Sequence, residues 1–322
     1  MKFIPAFAPL AVLCFTWSGA AASTAFISNE KDNTVTVFDT VAGKVIKTIP
    51  VGRRPRGMVL TPDFKQLIVC AGDDNRIDII DTETLEVTAS HETSGPDPEL
   101  LDVDHKGETL YIANEDDGMV TVLGIDGSPK AEIQIGVEPE GMSVSPDDSM
   151  VVATSESTSM AHFIDTKTLK VVANVLVDTR PRVALYTADG KEVWVTAEVG
   201  GTAAVIDAAT RKVKHRITFQ IPGVRPELIQ PMGVQFTLDG TRAVVALGRA
   251  NRLAVIDTST YEVLKYVLVG QRPWHIALSA DGSKLYSANG LSNDLTIVDT
   301  KTWNPEKSIP VGRLPWGIVL KP

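Results

Sequence analysis

A proline that closes a polar or glycine-rich stretch and opens a short apolar run occurs seven times in this 322-residue chain, at Pro55, Pro98, Pro139, Pro181, Pro231, Pro273 and Pro315. The successive spacings are 43, 41, 42, 50, 42 and 42 residues. The order between prolines is constant. The first apolar run meets a turn rich in Asp and Gly (TPDF, DHKG, SPDD, TADG, TLDG, SADG), and a second apolar run follows. A polar loop then leads to a third run that ends Ile-Asp-Thr or a close variant, as at Ile80-Asp81-Thr82 and Ile256-Asp257-Thr258. A fourth, alternating run such as Lys44–Ile49 completes the unit. Val, Ile and Tyr dominate runs this short, which predicts strands and not helices.

Four short strands in a unit of about 42 residues are the pattern of a β-propeller blade. The chain is therefore expected to be all-β: a seven-bladed β-propeller of four-stranded antiparallel blades. Pro315 is followed by a single run, Trp316–Leu320, whereas the N-terminal part supplies only a second, third and fourth run (AFISNE, TVTVFDT, KVIKTIPVG). The two fragments should make one blade, with Trp316–Leu320 pairing with Ala25–Asn29 and leaving no open sheet edge.

The one long apolar stretch is Phe3–Trp17, after Met1-Lys2 and before Ala20-Ala21-Ala22. Residues 1–22 read as a secretory signal peptide, residues 23–322 as a single propeller, and the location as periplasmic. No later segment has the roughly 18 apolar residues of a spanning helix. Removing the leader leaves one cysteine, Cys70, in the apolar run Leu67–Ala71; it reads as a small buried hydrophobe. A formal charge of −9 repels phosphate, against both nucleic acid and anionic membrane as partners.

Strands in a blade alternate in direction, so the loops sort onto two faces. One carries stereotyped Asp-Gly and Asp-Thr turns, chosen for backbone geometry. The other carries the links between blades and the loops after each second strand, and there the units differ. The residue after each proline is Arg56, Glu99, Glu140, Arg182, Met232, Trp274 and Trp316 in turn. Four charged positions followed by three apolar ones predict a two-sided mouth. The second strands are read as ending at Glu30, Gly72, Glu115, Glu156, Glu198, Arg249 and Gly290, with Arg53, Arg54, Arg180, Arg272, Arg313 and His275 near the same face. The 50-residue unit places its extra length here, in Phe219–Gln230, as loops that bind partners often do. The candidate site is thus Arg56, Glu99, Glu140, Arg182, Met232, Trp274, His275, Trp316, Glu115, Glu156, Glu198 and Arg249, a face for a ligand or protein with apolar and charged parts. The opposing reading is that Arg and Glu pair around a solvated channel while the tryptophans plug its floor.

Chemical motifs are absent. The histidines lack ligand spacing, and no nucleophile elbow, P-loop, dinucleotide fingerprint, zinc or haem motif is present. His91, His162 and His215 fall on or beside outer strands and read as structural. Glu115, Glu156 and Glu198, if clustered, could raise one another's pKa or bind Ca²⁺. That leaves a metal-assisted lactonase or lyase as the alternative to a non-catalytic binding protein. An electron-transfer role would need a cofactor that the sequence does not show.

The second-strand segments Leu110–Asn114 and Leu285–Asn289, with the Asp-Thr turns and GxxPxG links, resemble the YVTN-repeat propellers over nearly the whole chain past residue 22. Ile217–Gly223, Val245–Asp257, Tyr266–Trp274, Asn289–Thr300 and Ser308–Gly317 resemble, more narrowly, the exported propeller associated with PQQ-dependent catabolism. That resemblance implies an accessory protein beside a periplasmic PQQ-dependent alcohol dehydrogenase, with PQQ held only by that partner and no catalytic residues to transfer. The propeller that itself binds PQQ has eight blades and a vicinal disulfide, for which this chain lacks a second cysteine past residue 22.

Overall fold

A computed structural model describes residues 24–322; the expected leader lies outside the described residues. Twenty-eight strands, β1 to β28 in chain order, form seven separate four-stranded antiparallel sheets around an axis. The innermost strands are β4 (Pro55–Leu60), β8 (Pro98–Val103), β12 (Pro139–Val144), β16 (Pro181–Tyr186), β20 (Pro231–Phe236), β24 (Pro273–Leu278) and β28 (Pro315–Lys321). Each recurring proline therefore opens an innermost strand, where a missing N–H removes no interior ladder bond. Among the described residues no helix is long or apolar enough to cross a membrane.

The ring closes as the sequence predicts. β28 pairs antiparallel with β1 (Thr24–Asn29), aligning Ala25 with Leu320, Phe26 with Val319 and Ile27 with Ile318. Apolar side chains fill the wedges between neighbouring blades. In one such cluster Val319 packs against Phe26, Val37, Met58 and Leu67, so the last strand is part of the core on both sides of the seam.

Two local devices set the geometry. Asn29, Asn114 and Asn289, fully buried at the ends of their second strands, donate Nδ2–H to Thr36, Thr121 and Thr296 of the third strands at 2.6–2.8 Å. This bond gives the Asn of the repeat its role, since a buried amide must be satisfied. Where the motif has drifted, other polar pairs replace it. Buried Asp78 accepts Gly52 N–H at 2.7 Å, and His162 meets Ser155 and Asn174 at 2.9 and 2.7 Å. His162 is thus a core histidine and Cys70 a buried free thiol, as read from the sequence.

The second device is a size alternation two residues after each proline: Gly57, Leu100, Gly141, Val183, Gly233, His275, Gly317. A Cβ on Gly57 or Gly141 would strike the carbonyl oxygen of Glu99 or Arg182 in the next blade. On Gly233 it would lie 2.7 Å from Trp274 O. Each glycine lets its strand approach the side-chain-bearing strand beside it. Because seven is odd, two glycines, Gly317 and Gly57, fall in adjacent blades, and a Cβ on Gly317 would lie 2.6 Å from Arg56 O.

Candidate functional site

The residue before each repeat proline is held where few side chains go. Arg54, Asp97, Glu138, Arg180, Arg272 and Leu314 have φ of 57, 55, 57, 59, 55 and 52°, left-handed values uncommon outside glycine. Each of these residues uses its carbonyl to accept the N–H that follows the second strand of its blade. Examples are Glu115 to Asp97 at 2.9 Å, Glu198 to Arg180 at 2.8 Å and Gly290 to Arg272 at 2.9 Å. The turn locks two rings of side chains together and aims them at one end of the axis. The exception is Gln230, reached through the longer link.

At this mouth lies a cavity of about 310 Å³, lined by Arg54, Arg56, Arg180, Arg182, Arg249 and Arg272 with Glu115, Glu198, Gln230 and Trp274. Six guanidinium groups and two carboxyls face it. Behind the wall the remaining acids divide into two sectors. In the first, Glu99 is 0% exposed and its Oε1 accepts from Arg54 and from Arg56, each at 2.5 Å. Arg54 also meets Asp97, and Glu115 at 3.4 Å, while Arg56 reaches Glu30 at 3.3 Å. In the second, Arg182 meets Glu156, and Glu140 at 3.0 Å. Arg180 bonds Glu156 at 2.8 Å and Glu198 at 3.3 Å, and Arg272 reaches Glu198 at 3.3 Å.

These contacts set the protonation states. Burial alone would raise the Glu99 carboxyl, but Arg56, a hydrogen bond with Glu115 and Arg54 bring it below its ordinary value. Glu115 has the opposite fate: burial, the hydrogen bond with Glu99 and the charges of Glu99 and Asp97 push it up to about 8. Burial drives Glu140 well up despite Arg182, and raises Glu156. His275 is pushed down to about 3 by burial and by Arg182, so it is neutral. Arg272 is lowered by burial and by the neighbouring Arg249, Arg182 and Arg180 cations, against the pull of Glu198.

The aromatic residues play unequal parts. Trp274 lies in the cavity wall, with the Arg272 guanidinium 4.4 Å and that of Arg182 5.6 Å from its ring centroid. Trp316 is 1% exposed, packed 4.2 Å from the His275 ring and 6.1 Å from Trp274, with Arg56 over its other side at 5.6 Å. Met232 is 2% exposed and belongs to the apolar cluster of the sixth and seventh blades.

The structure thus gathers the sequence candidates at one end but at different depths. Arg56, Glu115, Arg182, Glu198, Arg249 and Trp274 line the cavity; Glu99, Glu140, Glu156 and Trp316 lie behind its wall; Met232 is core. Two expectations change. Glu115, Glu156 and Glu198 do not form one acidic cluster, because Glu115 joins Asp97 and Glu99 while Glu156 and Glu198 share Arg180 and Arg182. The second strands end one residue earlier than read, at Asn29, Ala71, Asn114, Ser155, Ala197, Leu247 and Asn289, so that Gly248, not Arg249, matches Glu30, Gly72, Glu115, Glu156, Glu198 and Gly290, and Arg249 lies one residue further on, in the 3₁₀ turn Gly248–Ala250. In the long link, which the sequence marks as a partner-binding candidate, Phe219, Ile221 and Ile229 are buried in the adjoining core, and Gln230 is its residue that lines the cavity. Arg53 and Arg313 pair with Asp74 and Asp32 and do not line it. Asp97 and Glu138 went unseen in the sequence, and Gln230 was marked only as the end of the long link. Their signal was the position before the repeat proline.

Asp97, Glu99 and Glu115 could each direct an oxygen within 4.8 Å of the others, close enough to hold a cation. Arg54 and Arg56 already occupy Asp97 and Glu99, so a divalent ion would have to displace two guanidinium groups.

Comparison with known proteins agrees with this architecture. Residues 78–306 match the family model described as lactonase, 7-bladed beta-propeller. The uncharacterised protein YncE of Salmonella typhi is 24% identical, over 77% of this chain and 72% of its own length. Among solved structures, hydrazine synthase of Kuenenia stuttgartiensis superposes with a TM-score of 0.79 at 22% identity, covering 86% of this chain and 92% of that one. A Bacteroides fragilis protein provisionally assigned as a 6-phosphogluconolactonase gives 0.78 at 16% identity, covering 95% and 99%. These identities speak to the fold alone.

Proposed function

Since the chain belongs to the family of lactonase-type seven-bladed β-propellers, we propose that its function resides in the arginine-lined mouth, which binds a small organic anion bearing carboxylate or phosphate. The observation that carries this reading is an arginine without a protein partner at the exposed rim of the cavity. The Arg249 side chain lines the cavity, and no ion pair or hydrogen bond of it is found among the described residues. Beside it Arg272 feels three other arginines. An anion would relieve that repulsion with charge-assisted bonds, and Trp274 offers a flat apolar wall for the remainder of the ligand.

The second-half motifs that resemble the PQQ-associated propellers support a role for this binding outside the cytoplasm, in an accessory protein serving PQQ-dependent alcohol oxidation. In that role the protein does no covalent chemistry, and PQQ stays with the partner dehydrogenase. Titration calorimetry with carboxylates and sugar phosphates tests the binding. Affinity should fall with added salt and drop at least roughly tenfold in Arg249→Ala, the loss of one charge-assisted contact, without a change in melting temperature. Binding of neutral analogues as tight as that of anions would overturn it.

Lactone hydrolysis is the second reading, favoured by the family itself and by the provisional assignment of the Bacteroides fragilis neighbour. With Arg54 and Arg56 seated on the acids, that activity would run without a divalent cation. Turnover of 6-phosphogluconolactone that persists in a chelator would favour it over the binding role.

A further inference from the structure

The first charged sector has more acid than base. Asp97, Glu99 and Glu115 approach within 4.8 Å of one another, and the cations set against them are Arg54 and Arg56, of which Arg56 is shared with Glu30. Both arginines meet Oε1 of Glu99. Its Oε2 is buried and meets no N–H or hydroxyl donor. The Glu115 carboxyl places an oxygen within 4.8 Å of one of the Glu99 carboxylate, and it is the group set to share a proton with it. Two carboxylates cannot bond each other unless one carries a proton. Of the pair, Glu99 is sealed behind the wall under two guanidinium groups, while Glu115 lines the cavity.

We propose that Glu99 and Glu115 hold one proton between them, carried by Glu115, and that the mouth takes up its anion together with this proton. This rests on the anion-binding reading above and adds its regulation. The groups facing Glu115 are Arg54 and Arg56 from the link and strand of the second blade, and Asp97 and Glu99 from those of the third. Asp116 and Asp117 follow it in its own loop. An anion entering the cavity adds one more negative charge to that set. It therefore binds well when Glu115 is neutral and poorly when it is ionised. The carboxyl would be neutral below a pH of about 8 in the free protein. Above that value binding must draw a proton from solvent, and affinity falls up to about tenfold per pH unit.

Sulfate, which does not titrate in this range, is the probe. Calorimetry of the full chain from pH 6 to 9.5, in buffers of differing ionisation enthalpy, counts the protons taken up. About one proton per sulfate is expected near pH 9.5 and none near pH 6. Glu115→Gln should lose the uptake and the pH slope together. The wild-type-minus-variant infrared difference spectrum at pH 7 should show a carboxylic-acid band, since any contribution of Glu140 or Glu156 is common to both proteins and cancels. Sulfate binding without proton uptake, or uptake that persists in Glu115→Gln, overturns the proton-sharing pair and leaves the anion site standing. Absence of sulfate binding at every pH removes both.

Discussion

Glu115 and Glu198 occupy matching places in different blades and face the same cavity, yet their neighbours give them different chemistry. Glu198 stands among Arg180, Arg182 and Arg272, whereas Glu115 stands against two acids. Its raised folded-state value means that the native protein holds an extra proton between pH 4.5, the ordinary value, and about 8. Stability from this group is therefore lost as pH rises through that window, on the order of 1 kcal/mol per pH unit at the steepest. Glu115→Gln should melt with the wild type near pH 4.5 and above it at pH 8; a parallel pH profile for the two proteins would refute the assignment. The tryptophans differ in the same way. Trp316→Ala, at 1% exposure, should cost about 3–5 kcal/mol. Trp274→Ala should cost less stability and mainly weaken anion binding, as denaturant melts and calorimetry on the pair would show.

At the scale of the strand, the glycine alternation makes a sharp prediction. Gly141→Val should be strongly destabilising, because its Cβ meets the Arg182 carbonyl of the neighbouring inner strand, a backbone atom that cannot step aside. Val183→Gly, one blade on, should cost only the cavity it leaves. Equal effects in thermal melts would show that close approach does not set this spacing. The strands themselves were legible in the sequence because their causes are local: β-branched runs, Asp-Gly turns and a proline at a fixed period. Neighbour choice was not. That Glu115 parts from Glu156, or that Met232 sinks into the core while Trp274 faces the cavity, depends on radial depth and on the blade alongside. A repeat alignment holds neither quantity.

For the whole molecule, the seam where β28 meets β1 governs stability. Deleting residues 315–322 removes the inner strand of one blade and Val319 from the core beside it. The truncated protein should melt roughly 10 °C or more below the full chain, or lose its single transition. A melt superimposable on that of the intact protein would show that the ring does not depend on the clasp. During synthesis, β1 is among the first strands made, yet its inner neighbour is the last. Until Pro315–Lys321 emerges, Ala25, Phe26 and Ile27 stand along a bare ladder edge. A prematurely terminated product keeps that adhesive apolar border, open to proteases and holdases, whereas a finished one conceals it. Synthesis through β28 and closure of the ring thereby become a single property that quality-control machinery can read by touch.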